Sequence, residues 1–273
     1  MSITEKYFDV HCHIHDAPEK LCALKDLTTQ RLALMGTRPE DWSVVACQAQ
    51  AHPDRVCSAF GIHPWYAHLY AFSTASEGKE GLGWEKELRA YLEDHPKAIV
   101  GEIGMDKVAK DPETGQVYAM SPQLALLHTQ LDLAVEYDRP ISLHCVRASE
   151  ELMRLLRDRG PSRLPPRIML HSFSLSSETL RALLKLPCGP RLYWSISCVV
   201  SLRSPKAARW IEMVPRDRLL LESDLHSTDG VDDAMHRVVE QVAEIRGWST
   251  QETMNIAWEN SQLFFTVGSE VEG

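Results

Sequence analysis

Two histidines one residue apart, His11 and His13, close the first short apolar run of the chain, YFDVHCH at residues 7–13. Side chains alternate along a strand, so His11 and His13 face one way and Cys12 the other. Such a pair offers two imidazoles to one cation. Five more ionisable residues close later apolar runs: His63, Glu102, His144, His171 and Asp224. Imidazole and carboxylate together suit Zn²⁺, Mn²⁺ or Fe²⁺ better than a purely hard site would. His11, His13, Glu102, His144, His171 and Asp224 make six ligands, more than one tetrahedral ion with an open position uses. Two ions roughly 3.5–4 Å apart, bridged by a carboxylate such as Glu102, would use them all. Buried acids beside apolar stretches, as in VGEIG and LLLESD, are costly without a cation.

The remaining histidines, His15, His52, His68, His95, His128, His226 and His236, read as surface or satisfied core residues. Cys145, beside His144, alternates away from the rim and reads as a packed thiol. Trp65 and Tyr66 follow His63 and suit either stacking on a base or covering the mouth of the site. No G-x-S-x-G, P-loop or G-x-G-x-x-G is present.

The elements that must position these groups are legible as eight short apolar runs: 7–13, 31–36, 55–63, 97–104, 139–145, 166–173, 191–198 and 218–224. Each is too short for a helix and suits a strand buried on both faces. Helical signals lie between them. Thr37 and Glu40 form a capping box before Trp42, Val45, Ala46 and Ala49. Ser121-Pro122 opens a stripe of Leu124, Leu127, Leu131 and Val135. Leu152, Leu155 and Leu156 stop at Gly160, and Leu180, Leu183 and Leu184 repeat the spacing. Ser249 and Glu252 cap a last helix carrying Ile256, Leu263 and Phe264. Residues 64–95 and 106–120 read as surface excursions, loops with room for a short helix.

Strands alternating with helices imply parallel pairing through right-handed crossovers. Eight such units predict a single (β/α)₈ TIM barrel over 1–273, with an open doubly wound sheet as the weaker choice for want of a glycine fingerprint. In a barrel the C-terminal strand ends converge on one rim, so the seven ionisable residues meet there.

The 273 residues carry a net charge of −9, unevenly spread: residues 139–218 hold 15 Lys+Arg against 6 Asp+Glu. Acidic proteins are poor non-specific nucleic-acid binders, although a locally basic segment can hold a phosphate chain. The longest apolar runs are far too short to span a membrane. The opening segment lacks a secretory pattern, and seven cysteines without a CxxC pair suit reduced thiols. A cytoplasmic or nuclear protein is expected.

The motifs Phe8-Asp9-Val10-His11-Cys12-His13, Gly61-Ile62-His63-Pro64, Val100-Gly101-Glu102-Ile103-Gly104-Met105-Asp106, Pro140-Ile141-Ser142-Leu143-His144, Leu170-His171-Ser172-Phe173-Ser174 and Leu221-Glu222-Ser223-Asp224 resemble TatD-family metal-dependent hydrolases. They occur in family order from residue 7 to about 265, and G-I-H-P-W-Y is most similar to a fungal branch. The resemblance implies a TIM barrel with one or two divalent ions, Mg²⁺ or Zn²⁺ with Mn²⁺ a further choice. It also implies phosphodiester hydrolysis of the DNase type acting from 3′ ends of DNA, with His11, His13, Glu102, His144, His171 and Asp224 as ligands. Three stretches depart from the family pattern. H-S-R-D-A becomes His144-Cys145-Val146-Arg147-Ala148, H-C-F-S-G becomes His171-Ser172-Phe173-Ser174-Leu175, and T-D-x-P becomes Ser223-Asp224-Leu225-His226. His63 and Arg147 are the candidate substrate-binding residues.

Asp224 is placed as the group that orients the attacking water and takes its proton, and Glu102 as the bridging carboxylate. Glu222 lies on the same strand face, about 6–7 Å deeper. Two other readings compete. An amidohydrolase acting on a C–N bond is disfavoured because that class often bridges its metals with a lysine on strand four, and none follows Lys97 there. A non-enzymatic interaction protein on a retained barrel is opposed by full retention of the ligands. Protein partners are left open.

Overall fold

The computed structural model describes residues 6–71 and 83–267. Eight parallel strands pair in sequence order: β1 (Phe8–Cys12), β2 (Arg31–Met35), β3 (Val56–Phe60), β4 (Ile99–Asp106), β5 (Ile141–Val146), β6 (Ile168–Leu170), β7 (Leu192–Ser197) and β8 (Leu219–Glu222). The order matches the barrel read from the sequence, and the sheet curls back on itself. Between β8 and β1, Asp224 N donates to His11 O at 3.0 Å and His13 N to Leu225 O at 2.8 Å. The buried Asp9 carboxylate strengthens this seam, accepting from the Ser223 backbone N at 2.9 Å and from the Ser223 hydroxyl.

Helices fill the crossovers: α1 (Pro39–Ala51), α2 (Ala67–Tyr70), α3 (Gly83–Asp94), α4 (Met120–Glu136), α5 (Ser149–Arg159), α6 (Ser177–Leu184), α7 (Ala207–Ile211), α8 (Val231–Arg246) and α9 (Thr250–Phe265). The alternation of the strands separates two buried layers. Leu32, Leu34, Ile141, Leu143, Trp194, Leu219 and Leu221 pack with the helices. Ala33, Met35, Ala59, Ile99, Met169, Tyr193 and Leu220 form a second cluster with Phe264 and Phe265 of α9, which fills the barrel interior. Cys145 packs against the helix-side core, as alternation requires, and all seven cysteines are free. Among the described residues no helix is long and apolar enough to cross a membrane.

The structure corrects several local expectations. The stretch 64–95 contains a full crossover helix, α3, whose Trp84, Leu88 and Leu92 are buried at four-residue spacing. The GKEGLGWE signal that suggested a loop lies mostly outside the described residues. Thr37 binds Asp41, not Glu40: its hydroxyl donates to Asp41 Oδ2 at 2.5 Å, while Glu40 accepts from the Tyr70 hydroxyl. α4 begins at Met120, one residue before Ser121, and makes no side-chain cap. Its buried face includes Gln123 and Gln130 beside Leu127 and Leu131. The Ser249 cap is present, with Ser249 Oγ accepting from Glu252 N at 3.1 Å, but Leu263 is 51% exposed and Phe265 takes the inward place beside Phe264.

Several strands also stop earlier than the apolar runs. β3 ends at Phe60, β6 at Leu170 and β8 at Glu222, so His63, His171 and Asp224 lie on the segments leaving the strands. Three non-glycine residues just past strand ends, Arg147, Ser172 and Asp224, have φ of 50°, 41° and 56°. Such left-handed backbone costs about 1–3 kcal/mol each and persists where surrounding bonds fix it, commonly at functional rims.

Candidate metal centre

The site lies at the C-terminal ends of the strands. The β1–β2 pairing shifts register between Asp9 and Cys12, which turns His11 into the barrel mouth, and His13 follows. The β4–β5 pairing shifts between Val100 and Ile103, which brings Glu102 inward. Gly104 makes this crossing possible: its φ is 154°, and a Cβ there would lie 2.0 Å from His144 O.

The Glu102 carboxylate sits at the centre, and its two oxygens address two sets of groups. Oε2 lies 3.4 Å from His11 Nε2 and 3.2 Å from His13 Nε2. Those two nitrogens are 3.1 Å apart, and Asp224 Oδ1 is 3.9 Å from each. Oε1 lies 2.7 Å from His144 Nδ1, 2.8 Å from His171 Nε2 and 3.2 Å from His63 Nε2. His144 Nδ1 and His171 Nε2 are 3.0 Å apart.

Neutral imidazoles this close would point lone pairs at one another and at a carboxylate oxygen. A divalent cation between them converts that repulsion into coordination. The residues therefore fit one or two ions. By distance, His11, His13, Asp224 and one Glu102 oxygen make one donor set and His144, His171 and the other Glu102 oxygen a second, while His63 also lies within ligating reach of Glu102 and His144. A bridging carboxylate with one oxygen toward each set is the arrangement of two-metal hydrolytic sites.

The charge balance follows from this crowding. Burial raises the Glu102 carboxyl, but His63, His171 and His11 outweigh it and hold it well below the usual carboxylate range. Burial and the neighbouring His171 keep His11 low, whereas burial of His13, His144 and His171 is overcome by Glu102 and other acids, which lift these rings. Ligation needs neutral imidazoles, so cation binding releases protons from this cluster.

A second ring of groups orients the first. His11 Nδ1 meets Ser142 Oγ at 2.9 Å, and His13 Nδ1 meets Met35 O at 3.1 Å. His144 Nε2 is 3.5 Å from Asp106 Oδ2, and His171 Nδ1 is 3.5 Å from Glu222 Oε1. Glu222 is fully buried and also accepts from Ser172 N at 2.6 Å. Ser172 Oγ in turn donates to Asp224 Oδ2 at 2.9 Å. The α4 amides anchor the opposite side. Gln130 accepts from Ile62 N at 2.6 Å and donates to Ile62 O at 3.1 Å; Gln123 does the same for Asp106 at 2.7 and 3.0 Å.

A cavity of about 280 Å³ opens over the cluster, lined by His13, His63, Glu102, His144, His171 and Asp224 with Asp16, Thr37, Arg38, Asp41, Trp65, Tyr66, Val200 and His226. All six expected ligands and His63 thus meet. Arg147 does not line this cavity and is exposed on the turn after β5. The cation at the cavity wall is Arg38, which bonds Asp41 and lies over the Tyr66 ring at 4.7 Å. Its sole sequence signal was proximity to the end of β2, too weak to single it out. Two of the discounted histidines are not bland. His226 stacks on His13 with ring centres 4.9 Å apart, and His15 is buried beside them with no hydrogen-bond partner at either nitrogen. Trp65 is 47% exposed, yet its indole N–H donates to Asp106 Oδ2 at 2.8 Å.

The sequence from residue 8 to 266 matches the family model described as TatD related DNase. The chain is 26% identical to the Cut9-interacting protein scn1 of Schizosaccharomyces pombe, over 96% of this chain and 99% of that one. It is 28% identical to the 3'-5' ssDNA/RNA exonuclease TatD of Edwardsiella piscicida, over 77% of this chain and 73% of the relative. A TatD family hydrolase from Entamoeba histolytica superposes with a TM-score of 0.76 at 16% identity, covering 96% of this chain and 99% of that structure. The YJJV TatD homolog of Escherichia coli superposes with 0.75 at 24% identity, covering 97% and 100%. With the match spanning nearly the whole barrel and every strand that carries a candidate ligand, the chain belongs to the TatD-related DNase family.

Proposed function

We propose that this single-domain barrel is a metal-dependent phosphodiester hydrolase, a deoxyribonuclease that removes nucleotides from 3′ ends. The observation that carries this reading is the division of Glu102 between two histidine pairs, with Asp224 at the edge of the same cavity. Family membership and the nuclease names of its relatives support the same reaction class. Bound Mg²⁺, Zn²⁺ or Mn²⁺ would supply Lewis acidity and a nucleophile at neutral pH. His11, His13, Glu102 and Asp224 would hold one ion; Glu102, His144 and His171 would hold the other.

The chain's own groups have separable tasks. Asp224 Oδ1 faces the cavity and accepts the proton of the attacking water, while Ser172 fixes Oδ2. Arg38 at the cavity wall offers a cation to a phosphate. Arg147, placed outside the cavity, is left with contacts to a more distant stretch of strand. A cavity of about 280 Å³ is of the size of a single nucleotide and not of a duplex, which supports action at ends. No lysine lies on β4, so the bridging lysine of many C–N hydrolases has no counterpart on that strand.

The test is metal analysis of purified protein, followed by assay of end-labelled single-stranded DNA with added Mg²⁺, Mn²⁺ or Zn²⁺. Stepwise release of mononucleotides from the 3′ end is expected. Inactivity on every nucleic acid with every metal would put the interaction-protein or the amidohydrolase reading in its place.

A further inference from the structure

Five imidazoles surround Glu102, and each turns one nitrogen to the carboxylate and the other to a different group. That second group decides where the proton sits, because a neutral imidazole carries hydrogen on one nitrogen and a lone pair on the other. His13 Nδ1 faces the Met35 carbonyl oxygen, which can only accept. Its hydrogen therefore sits on Nδ1 and its lone pair on Nε2. The Ser142 hydroxyl can accept from His11 Nδ1 in the same way. The outward nitrogens of His144 and His171 face the carboxylates of Asp106 and Glu222. All four rings thus present a lone pair inward, as ligation requires.

His63 is wired the other way round. It caps the 3₁₀ turn Pro64–Tyr66, and its Nδ1 accepts from the Trp65 backbone N at 3.2 Å. Pro64 has no N–H, so Trp65 supplies the first donor of that turn. A backbone N–H can only donate, which puts the lone pair on Nδ1 and the hydrogen on Nε2. That Nε2 is the atom 3.2 Å from Glu102 Oε1, and His63 lines the same cavity as Asp224. The turn is held from both sides: Trp65 is tied to Asp106, its ring meets the His63 ring edge-on at 4.8 Å, and Ile62 is clamped by Gln130.

We propose that His63 is not a metal ligand but a fixed hydrogen-bond donor, its Nε2–H aimed at an anionic phosphoryl oxygen of the substrate beside Glu102. The identity of that oxygen rests on the phosphodiester reading; the inverted tautomer does not. A donor already oriented before substrate arrives needs no reorganisation as charge develops on the oxygen. The His-Pro-Trp sequence would then encode more than a turn: the proline deletes one donor, and the next one sets the tautomer.

Long-range ¹H–¹⁵N spectra of the zinc-loaded full chain read ring tautomers directly. His63 should carry its proton on Nε2 before and after loading, while in the loaded protein His11, His13 and His171 should carry theirs on Nδ1 and His144 on Nε2. Titration with inorganic phosphate should shift the His63 Nε2–H resonance. His63→Ala and His63→Gln should both retain the wild-type zinc content. On single-stranded DNA, His63→Ala should lose about 10²–10³-fold in kcat, the usual effect of one lost oxyanion donor, with part recovered in His63→Gln, which keeps an N–H. Loss of the Nε2 proton on zinc loading, loss of a zinc ion in His63→Ala, or a resonance unmoved by phosphate would each overturn the proposal. A wild-type protein that hydrolyses no phosphodiester while Nε2–H responds to phosphate would refute the reaction class and leave the His63 assignment standing.

Discussion

Asp224→Asn separates catalysis from assembly of the site. Asp224 Oδ1 stands 3.9 Å from both His11 Nε2 and His13 Nε2, and Oδ2 accepts from Ser172 Oγ at 2.9 Å. Asparagine retains one ligand-type oxygen and the shape, but loses the charge and the base. Loss of a general base costs about 10²–10⁴-fold, or about 2.7–5.4 kcal/mol at 1.36 kcal/mol per decade. Ser172→Ala removes the hydrogen bond that aims the carboxylate, worth about 1.5–3 kcal/mol for a charged acceptor or about 10–150-fold, together with the Ser172–Ser197 hydroxyl contact, which does not touch Asp224. If Ser172 acts through Asp224, the two losses are not additive, and the double variant hydrolyses no more slowly than Asp224→Asn alone. The assay is nucleotide release from end-labelled single-stranded DNA, with metal content measured on the same preparations. Fully additive losses, or wild-type hydrolysis by Asp224→Asn, would refute the assigned role.

Other expectations follow from the same structure. His171→Ala should lower metal occupancy yet keep a cooperative thermal melt, because rim positions serve chemistry while the opposite end serves stability; a fold that collapses would make this histidine structural. Added Zn²⁺ or Mn²⁺ should raise the Tm of metal-free protein with increasing concentration, and a Tm insensitive to every divalent ion would count against a metal centre. Gly104→Ala should destabilise by about 3 kcal/mol or more, since a Cβ there meets His144 O at a strained φ, and denaturant titration would expose a smaller effect. Burial pushes the Cys145 thiol up to about 12, so at pH 8 iodoacetamide should modify exposed Cys22 and Cys47 and spare Cys145 until the chain unfolds. Because an unfolded cysteine ionises near 9 and the folded one near 12, the native state binds the extra proton between them, and Cys145 makes stability fall as pH rises through that window.

The barrel was legible because each strand left a short apolar run between helical stripes. The centre was legible because those runs end in histidine and acid, and parallel strands carry their C-terminal ends to one rim. The exact strand ends were not legible: His63, His171 and Asp224 lie beyond them, on segments whose geometry is set by Trp65 N, Glu222 and His11 O. The orienting groups were harder still. Ser142, the Met35 carbonyl and Glu222 act through contacts across the barrel, which no local spacing encodes. α3 was legible as no more than a short helix in an excursion, because its apolar stripe is only Trp84, Leu88 and Leu92 among polar residues. Arg38 and His226 reach the cavity by loop geometry alone.

The paired amides of α4 have a consequence for how the rim breathes. Gln130 holds both backbone groups of Ile62, and Gln123 holds both of Asp106, so two rim segments are bolted to one helix rather than to each other. Amide hydrogens at the ends of strands ordinarily exchange with solvent through small local openings. Here the Ile62 and Asp106 amides can open only by breaking buried bonds to α4, so their exchange should track unfolding of that helix. The wall carrying His63 and Trp65 then behaves as part of the core in time as well as in space. Movement that widens the cavity is then expected from the opposite wall, where His226 is held by the Asp16 carboxylate and Val200 N by the Ser197 hydroxyl instead of by paired helix amides.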